Sequence, residues 1–508
     1  MSSTAANDPR QPAAAKRYVP TAVSPEDLPV DYSGLIAVVF GIAGVMFRYK
    51  LWSWLAIIFC DQSLVNMKSI ENDLKQISMA MMFAIMGLVT NYFGPARPEF
   101  AHARLMAAEP DLDNERNKVR YIAVPDGLSE DDARNDEGKL FQSISKVIPG
   151  HLREVLEKVN KEGNQVTCII TDPMFGWALE IAETLKLKLA IFWTSAPGVL
   201  ALILNIPKLI EDGIIDAKGS LKIDGKVQLS PDLPPLTSAD FLWNYSGKQS
   251  GETNFQYFSG IQRNMKRCGW LLCNWFQELN PHVANVVPNM FPLGPLLANG
   301  KPAANFWPED STCLSWLNKQ PAGSVIYVAF GSISVFSQHQ MDELALGLEL
   351  VGRPFLWVKR SDVVSGGSSK YPDGYEERVA TQGKIVQWAP QEQVLTHPSI
   401  ACFLTHCGWN SIMDGLSMGV PFLCWPYFAD QFYNRSCICN GYKVGLALSP
   451  DEYGIVTRHE IRRKLDSLVA DDGIRANALK LKEMALESIS EGGSSARNLD
   501  NFILQMKQ

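Results

Sequence analysis

The sequence predicts an α/β chain: two lobes, each built on a doubly wound parallel sheet, behind a mostly helical segment of about three membrane spans. Three observations predict it. Apolar β-type runs alternate with amphipathic helical patterns over most of the chain after residue 120. A Pro/Gly-rich stretch from Val287 to Pro308 divides that alternation into two series. Three apolar runs with almost no charge crowd into residues 35–89, ahead of both series.

The first segment is the easiest to delimit. Residues 1–30 are polar and Pro/Ala-rich and read as a disordered tail. Leu35–Phe47, Leu51–Cys60 and Ile77–Val89 follow, separated by short charged breaks such as Arg48 to Lys50 and Lys68 to Lys75. Each run is shorter than the roughly 20 residues of a spanning helix. Tyr32, Tyr92 and Phe93 can extend them, and tyrosine suits the membrane interface. Three buried core helices are the alternative, but three such runs leave almost no polar face for water.

The two later series justify the sheets. Tyr121–Val124, Val166–Thr171 and Leu189–Trp193 are the strand-like runs of the first lobe. Ser324–Phe330, Phe355–Val358, Ile385–Trp388, Ala401–Leu404, Phe422–Trp425 and Val444–Leu448 are those of the second. Helical patterns lie between them, among them Leu140–Val159, Trp177–Leu185, Met341–Leu350, Asn410–Met418 and His459–Val469. Continuous apolar strands joined by helices argue for parallel sheets covered on both faces, as in Rossmann-like lobes. The expected boundaries are 31–98 for the membrane segment, 99–295 for the first lobe and 296–485 for the second. A last helix, 486–508, is expected to pack back on the first lobe.

Composition narrows the partners. A net charge of −7 gives no electrostatic reason to expect nucleic acid. The ten cysteines include no Cys-x-x-Cys pair, so reduced thiols are expected and no metal site. In open α/β sheets ligands bind outside the carboxyl ends of the strands. Gly331-Ser332 follows one such strand. His406-Cys407-Gly408 follows another and leads into a helix, whose free N–H groups and dipole favour an anion.

Residues Trp388 to Gln431 read WAPQEQVLTHPSIACFLTHCGWNSIMDGLSMGVPFLCWPYFADQ. This block resembles the plant secondary product glycosyltransferase (PSPG) box, the donor site of family 1 UDP-glycosyltransferases of GT-B fold. The similarity runs over about residues 99–508. The resemblance implies a hexosyltransferase that moves a sugar from a UDP-sugar to a hydroxyl of a hydrophobic small molecule, with inversion and no cofactor. Trp388 is suited to stack on uracil, the Ala389 backbone to pair with the base edge, and Gln391 to reach the ribose. His406 is placed to bond the diphosphate, beside Gly408 and the first helical turn of Trp409, Asn410 and Ser411. Ser332 resembles the family's other phosphate contact. Asp414 departs from the usual Glu on the ribose diol, so a modest loss of affinity is expected. Asp430 and Gln431 would read the sugar hydroxyls, the Gln being associated with glucose. Thr194, in FWTSAPG, resembles the residue at the sugar 6-hydroxyl. Trp243, Phe255 and Phe258 point to an apolar acceptor pocket.

Catalysis is where the resemblance fails. Asp172, inside ITDPMFGWA, looks like the aspartate that orients the family's catalytic histidine. That histidine follows a first strand, and none of the seven here, His102, His151, His282, His339, His397, His406 and His459, stands in such a setting. The first lobe therefore reads as truncated. Losing a general base usually costs about 10²–10⁴-fold, so weak or absent transfer is expected.

In the missing unit's place, Asp31-Tyr32, Gly44, Met46, Lys50, Trp54, Asn66, Ser69, Asp73-x-Lys75-Gln76 and Tyr92 resemble the Asterix family. These are small three-span proteins of the endoplasmic reticulum that assist membrane-protein insertion. The two resemblances in one chain read as a fusion or as a misjoined gene model. They leave three readings open: a transferase, a membrane-assembly factor carrying a passenger transferase region, or a membrane-tethered UDP-sugar-binding protein. Localisation at the endoplasmic reticulum membrane follows if residues 31–98 act as an anchor; a cytoplasmic protein follows otherwise. If Arg10, Lys16 and Arg17 stay cytosolic, three spans put the lobes in the lumen, where the sequons at Asn244 and Asn434 become accessible.

Overall fold

The computed structural model describes residues 137–507 except 232, 245–247, 298–308, 333 and 361–369, together with residue 122 and residues 124–128. The chain divides after Arg97, and every described residue belongs to the second part. The expected tail and membrane segment lie outside the described residues. Among the described residues no helix is long and apolar enough to cross a membrane.

The first lobe opens with α1 (Glu137–Lys161), then β1 (Cys168–Thr171), α2 (Gly176–Leu185), β2 (Lys188–Trp193), α3 (Pro197–Leu204), α4 (Ile206–Glu211), α5 (Lys248–Met265), β3 (Trp270–Cys273), α6 (Val283–Val286) and β4 (Met290–Pro292). The sheet order is β1-β2-β3-β4 and every pairing is parallel, with Ile169 opposite Leu189 and Ile191 opposite Leu271. Parallel neighbours need crossovers, and helices covering both faces explain why β2 reads KLAIFW without a polar alternation. Helix α3 starts on Pro197, whose fixed φ suits a first turn, and its first seven residues are all buried.

The second lobe follows with α7 (Thr312–Leu317), β5 (Val325–Ala329), α8 (Gln338–Val351), β6 (Phe355–Val358), α9 (Tyr375–Val379), β7 (Gly383–Val386), α10 (Gln391–Thr396), β8 (Ile400–Thr405), α11 (Trp409–Met418), β9 (Phe422–Cys424), α12 (Gln431–Ser436), β10 (Gly445–Ala447) and α13 (Arg458–Val469). Its six strands are parallel in the order β10-β9-β8-β5-β6-β7. The chain runs outward from β5 to β7, then returns to lay β8 beside β5. The carboxyl ends of β5 and β8 therefore flank a topological switch point, where such sheets bind ligands. Buried Ile326, Val328, Cys402 and Leu404 pack under α8 and α13, while Tyr327 and Phe403 stack at 4.9 Å on the other face.

The structure corrects several sequence readings. Residues 122 and 124, expected in a strand, carry no strand assignment. β3 and β4 are strands that the sequence reading lacked. β4 lies inside the stretch read as linker, where Pro292 and a length of three residues hide the strand signal. The seventh strand ends at Val386 instead of Trp388, which leaves Trp388 outside the sheet.

The terminal segment is two helices instead of one, α14 (Asp472–Ile489) and α15 (Ser494–Lys507). The break falls at Gly492-Gly493: Gly492 has φ +79°, and a Cβ on Gly493 would overlap the carbonyls of Glu487 and Ser488. Beyond the break α15 reaches the first lobe. Asn498 Nδ2 donates to Pro292 O at 3.0 Å, and Lys188 Nζ donates to Gln505 O at 2.6 Å.

Candidate active site

The two loops expected at the switch point meet there. After β8 the chain turns through Cys407, which adopts φ +68°, a region non-glycine residues enter only under constraint. The constraint is visible. Cys407 N donates to Thr405 Oγ1 at 3.3 Å, and buried Asn434 Nδ2 donates to Cys407 O at 2.9 Å. Gly408 caps α11 without any side-chain cap, so the first N–H groups of Trp409, Asn410 and Ser411 keep no side-chain partner at the helix start. After β5, Gly331 turns at φ +68°, and its carbonyl accepts from buried Arg360 Nη1 at 2.9 Å.

His406 lies between these glycines. A Cβ on either Gly331 or Gly408 would overlap its Nε2, so both positions need glycine for the imidazole to fit. Burial pushes His406 down to about 4, and the charge of Arg360 pushes the same way. The ring is therefore neutral at physiological pH, and its Nδ1 is buried without a protein partner. A neutral imidazole can still donate one hydrogen bond, according to tautomer. Substituting Gly408 by Ala should displace the ring and lower UDP affinity about tenfold or more, at the ~1.4 kcal/mol of one lost hydrogen bond. Calorimetric titration of G408A against the unaltered chain checks this.

A cavity of about 670 Å³ opens here, within the usual size range of small-molecule sites. Of the residues singled out from sequence, Thr194, Ser332, Trp388, Ala389, Gln391, His406, Gly408, Trp409, Asn410, Ser411, Asp414 and Asp430 all line it. Gln391 ties one wall together: Nε2 donates to Asp414 Oδ2 at 2.8 Å and to Ser411 Oγ at 3.1 Å, and Oε1 accepts from the Tyr327 hydroxyl at 3.4 Å. Trp409 contributes to the wall but sends its indole away, Nε1 donating to Asn274 O of the first lobe at 2.8 Å.

Trp243, Phe255 and Phe258, expected at an acceptor pocket, pack together against the first lobe's core instead of lining the cavity. Two residues expected at the donor and catalytic site do not line it either. Gln431 is buried one step behind it, where Oε1 accepts from the N–H groups of Tyr427 and Phe428 at 2.8 and 3.0 Å. Those amides of the loop after β9 need an acceptor, and Gln431 is the side chain within reach. Asp172 accepts from Met174 N at 2.8 Å and from the Thr194 hydroxyl. Burial raises its carboxyl above the usual range, and the Tyr257 hydroxyl lies near it. Among the described residues His406 is the one histidine that lines the cavity; His102 lies outside them.

The sequence reading missed Ser195, Glu309 and Tyr327, which also line the cavity. Tyr327 had a signal. A phenol in the middle of Val-Ile-Tyr-Val-Ala must find a partner for its hydroxyl when buried. Ser195 and Glu309 sit in loops whose direction depends on the packing of the two lobes, and no local pattern marks them.

Asp414 gives the site a pH dependence. Burial raises its carboxyl to about 6, Glu392 adds to the effect, and the Gln391 hydrogen bond opposes it. A carboxyl raised on folding contributes stability that is complete below the unfolded value near 4 and is lost as pH climbs through 6. That gap corresponds to at most about 3 kcal/mol. Asp414→Asn keeps an acceptor for Gln391 without the charge. Its melting temperature should match that of the parent chain at pH 4 and exceed it at pH 7, as thermal melts across that window will show.

A polar-lined cavity at the switch point of one parallel lobe, with a second parallel lobe contributing Thr194 and Ser195, defines a two-lobed α/β transferase. The comparisons with known proteins give the family. Residues 261–488 match the model of the UDP-glucoronosyl and UDP-glucosyl transferase family. UDP-glycosyltransferase 83A1 of Arabidopsis thaliana is 37% identical over 424 residues, covering 80% of this chain and 89% of that one. Among solved structures, Os79 from O. sativa in complex with UDP superposes with a TM-score of 0.66 at 25% identity, covering 76% and 89% of the two chains. UGT2 of Phytolacca americana, complexed with UDP-2fluoro-glucose and pterostilbene, gives a TM-score of 0.62 at 30% identity, covering 73% and 82%. The chain belongs to the UDP-glycosyltransferase family. It also carries a second family's sequence, since residues 5–100 match the model of the PAT complex subunit Asterix.

Proposed function

We propose that the chain binds a UDP-sugar, with glucose as the sugar, and transfers it with inversion to a hydroxyl of a hydrophobic small molecule, at a rate limited by a missing general base. The observation that carries the reading is the convergence of Trp388, neutral His406 and the uncapped start of α11 on one cavity of nucleotide-sugar size. In this reading Trp388 stacks on uracil, Ala389 meets the base edge, and Gln391 and Asp414 hold the ribose. His406, Ser332 and the α11 amides of Trp409, Asn410 and Ser411 hold the diphosphate. Thr194 and Asp430 meet the sugar, with Gln431 supporting the loop behind them. The solved relative with UDP-2fluoro-glucose and pterostilbene supports both the glucose and an apolar acceptor. The reaction itself is one displacement. The acceptor oxygen bonds to the anomeric carbon, the bond to the diphosphate oxygen breaks, UDP leaves with the electron pair, and the acceptor's hydroxyl proton passes to solvent water. Asp172 would hold the base in its tautomer where a base is present.

A transferase assay with UDP-glucose and a panel of phenols and terpenoid alcohols tests this. Slow glucoside formation that depends on His406 agrees with it. No binding of UDP or UDP-glucose contradicts it.

The Asterix match favours a second reading for the other end of the chain, a membrane anchor or assembly factor at the endoplasmic reticulum through residues 31–98. Site-specific crosslinking to nascent membrane proteins tests that reading. Glycan on Asn244 would place the transferase lobes in the lumen, and its absence from a membrane-inserted product would contradict that side.

A further inference from the structure

We propose that Ser195 is the first lobe's contribution to donor-sugar recognition: its hydroxyl fixes Asp430 so that one carboxylate oxygen faces a neutral hexose, and a uronic acid sugar is refused. The inference rests on the UDP-sugar reading above and adds to it the class of sugar and a residue that sets it.

The geometry is specific. Ser195 Oγ donates to Asp430 Oδ2 at 2.6 Å, across the cleft between lobes. Asn434 Nδ2, from a side chain only 1% exposed, donates to the same oxygen at 3.0 Å. Neither bond uses Oδ1, and both Ser195 and Asp430 line the cavity. Burial raises the Asp430 carboxyl above its ordinary range, and the Ser195 and Asn434 donors oppose this by favouring the ionised form. A carboxylate oxygen with two donors on its neighbour is positioned as an acceptor for sugar hydroxyls, which arrive as donors. Ser195 itself is held in place. It stands between the end of β2 and Ala196, the N-cap of α3, where Trp193 Nε1 donates to Ala196 O at 2.9 Å. Cys273 Sγ reaches its carbonyl at 3.7 Å. The same face of the two lobes is joined by Trp409 to Asn274 and by Ser436 Oγ donating to Asp240 Oδ1 at 2.8 Å. The hydroxyl reaches Asp430 only while these contacts hold the lobes together.

Charge decides the sugar class. Glu309, Glu392, Asp414 and Asp430 line the cavity, and no Lys or Arg does so among the described residues. Arg360 lies behind Gly331, on the side of His406. A uronate carboxylate beside Asp430 would meet like charge, and no cation among the described lining residues offsets it. The family to which the chain belongs spans both glucuronosyl and glucosyl donors, so the distinction is a real choice for this chain.

Binding of UDP, UDP-glucose and UDP-glucuronate to the full chain, measured by calorimetry for the parent protein, Ser195→Ala and Ser195→Thr, tests the proposal. The parent should bind UDP-glucose more tightly than UDP and UDP-glucuronate no more tightly than UDP. Ser195→Ala should weaken UDP-glucose about tenfold, the value of one charge-assisted hydrogen bond, and leave UDP within about twofold. Ser195→Thr, which keeps the hydroxyl, should recover most of the loss. A general folding defect would weaken UDP as well and would not be rescued by threonine. Unchanged UDP-glucose binding in Ser195→Ala, equal weakening of UDP, or tighter binding of UDP-glucuronate than of UDP overturns the proposal. A parent chain that binds UDP and UDP-glucose, with UDP-glucose binding indifferent to Ser195, removes this inference alone. A parent chain that binds none of the three removes the donor-site reading and this inference with it.

Discussion

Replacing residues 1–98 with a complete first strand, histidine loop and helix of the family is expected to raise turnover by about 10²–10⁴-fold, the usual value of a positioned general base. The expectation comes from what surrounds the cavity. Asp172 sits at the end of β1 with its carboxyl satisfied by Met174 N and the Thr194 hydroxyl. His406 is the one histidine on the cavity wall among the described residues, and it is neutral, confined between Gly331 and Gly408, and placed beside the start of α11. It is badly placed to take a proton from an acceptor and well placed to hold a diphosphate. The same replacement should leave UDP affinity within about threefold, because every proposed nucleotide contact lies after residue 330. Single-turnover rates and calorimetric UDP affinities of both proteins separate the two effects. A gain in UDP affinity with no gain in turnover would mean that the graft repairs folding and that the base was never missing.

Substituting His406 by Ala is the second large effect. Removing one preorganised donor from a site where charge develops typically costs about 10²–10³-fold in turnover. In the proposed reading the donor faces the leaving diphosphate, on which negative charge grows as the sugar departs. The loss should appear in kcat more than in KM, and UDP affinity should fall about tenfold or more. Because burial holds the ring neutral down to about pH 4, UDP binding should show no step from this histidine between pH 5.5 and 8. A titration step near 6.5 that disappears in His406→Ala would contradict the buried, neutral ring.

Much of this was legible before any coordinates. The donor wall is one contiguous block, so its chemistry survives as a string: an indole at 388, an imidazole at 406, a glycine before a helix and a carboxylate at 430. Periodicity identified the second lobe because its strands are four to six mostly apolar residues between clear turns, except at β9 and β10, which are three. The first lobe was harder to read. β3 and β4 have four and three residues, and β4 ends on a proline, so neither carries a strand signature longer than an ordinary loop. Register explains another part. Tyr327 reaches Gln391 only because β5 lies beside β8 at the switch point, a fact that belongs to topology and not to spacing along the chain.

Gln431 shows a different limit. Its place in the block suggests a sugar contact, yet its oxygen is taken by two backbone amides of the preceding loop. A motif fixes which residues stand near a site and not which way each side chain turns. Ser195 was hidden for the opposite reason, since its partner lies 235 residues away in the other lobe.

The most direct test is a calorimetric titration of the full chain with UDP and with uridine, repeated for Trp388→Ala and His406→Ala. The account predicts one UDP site per chain. Trp388→Ala should weaken both ligands by about 5–150-fold, the ~1–3 kcal/mol of a base on an aromatic face. His406→Ala should weaken UDP about tenfold or more and leave uridine unchanged, since only the phosphates meet the imidazole. Equal losses for UDP and uridine in His406→Ala, or UDP binding indifferent to both substitutions, would contradict a single nucleotide diphosphate held jointly by the indole, the imidazole and the start of α11.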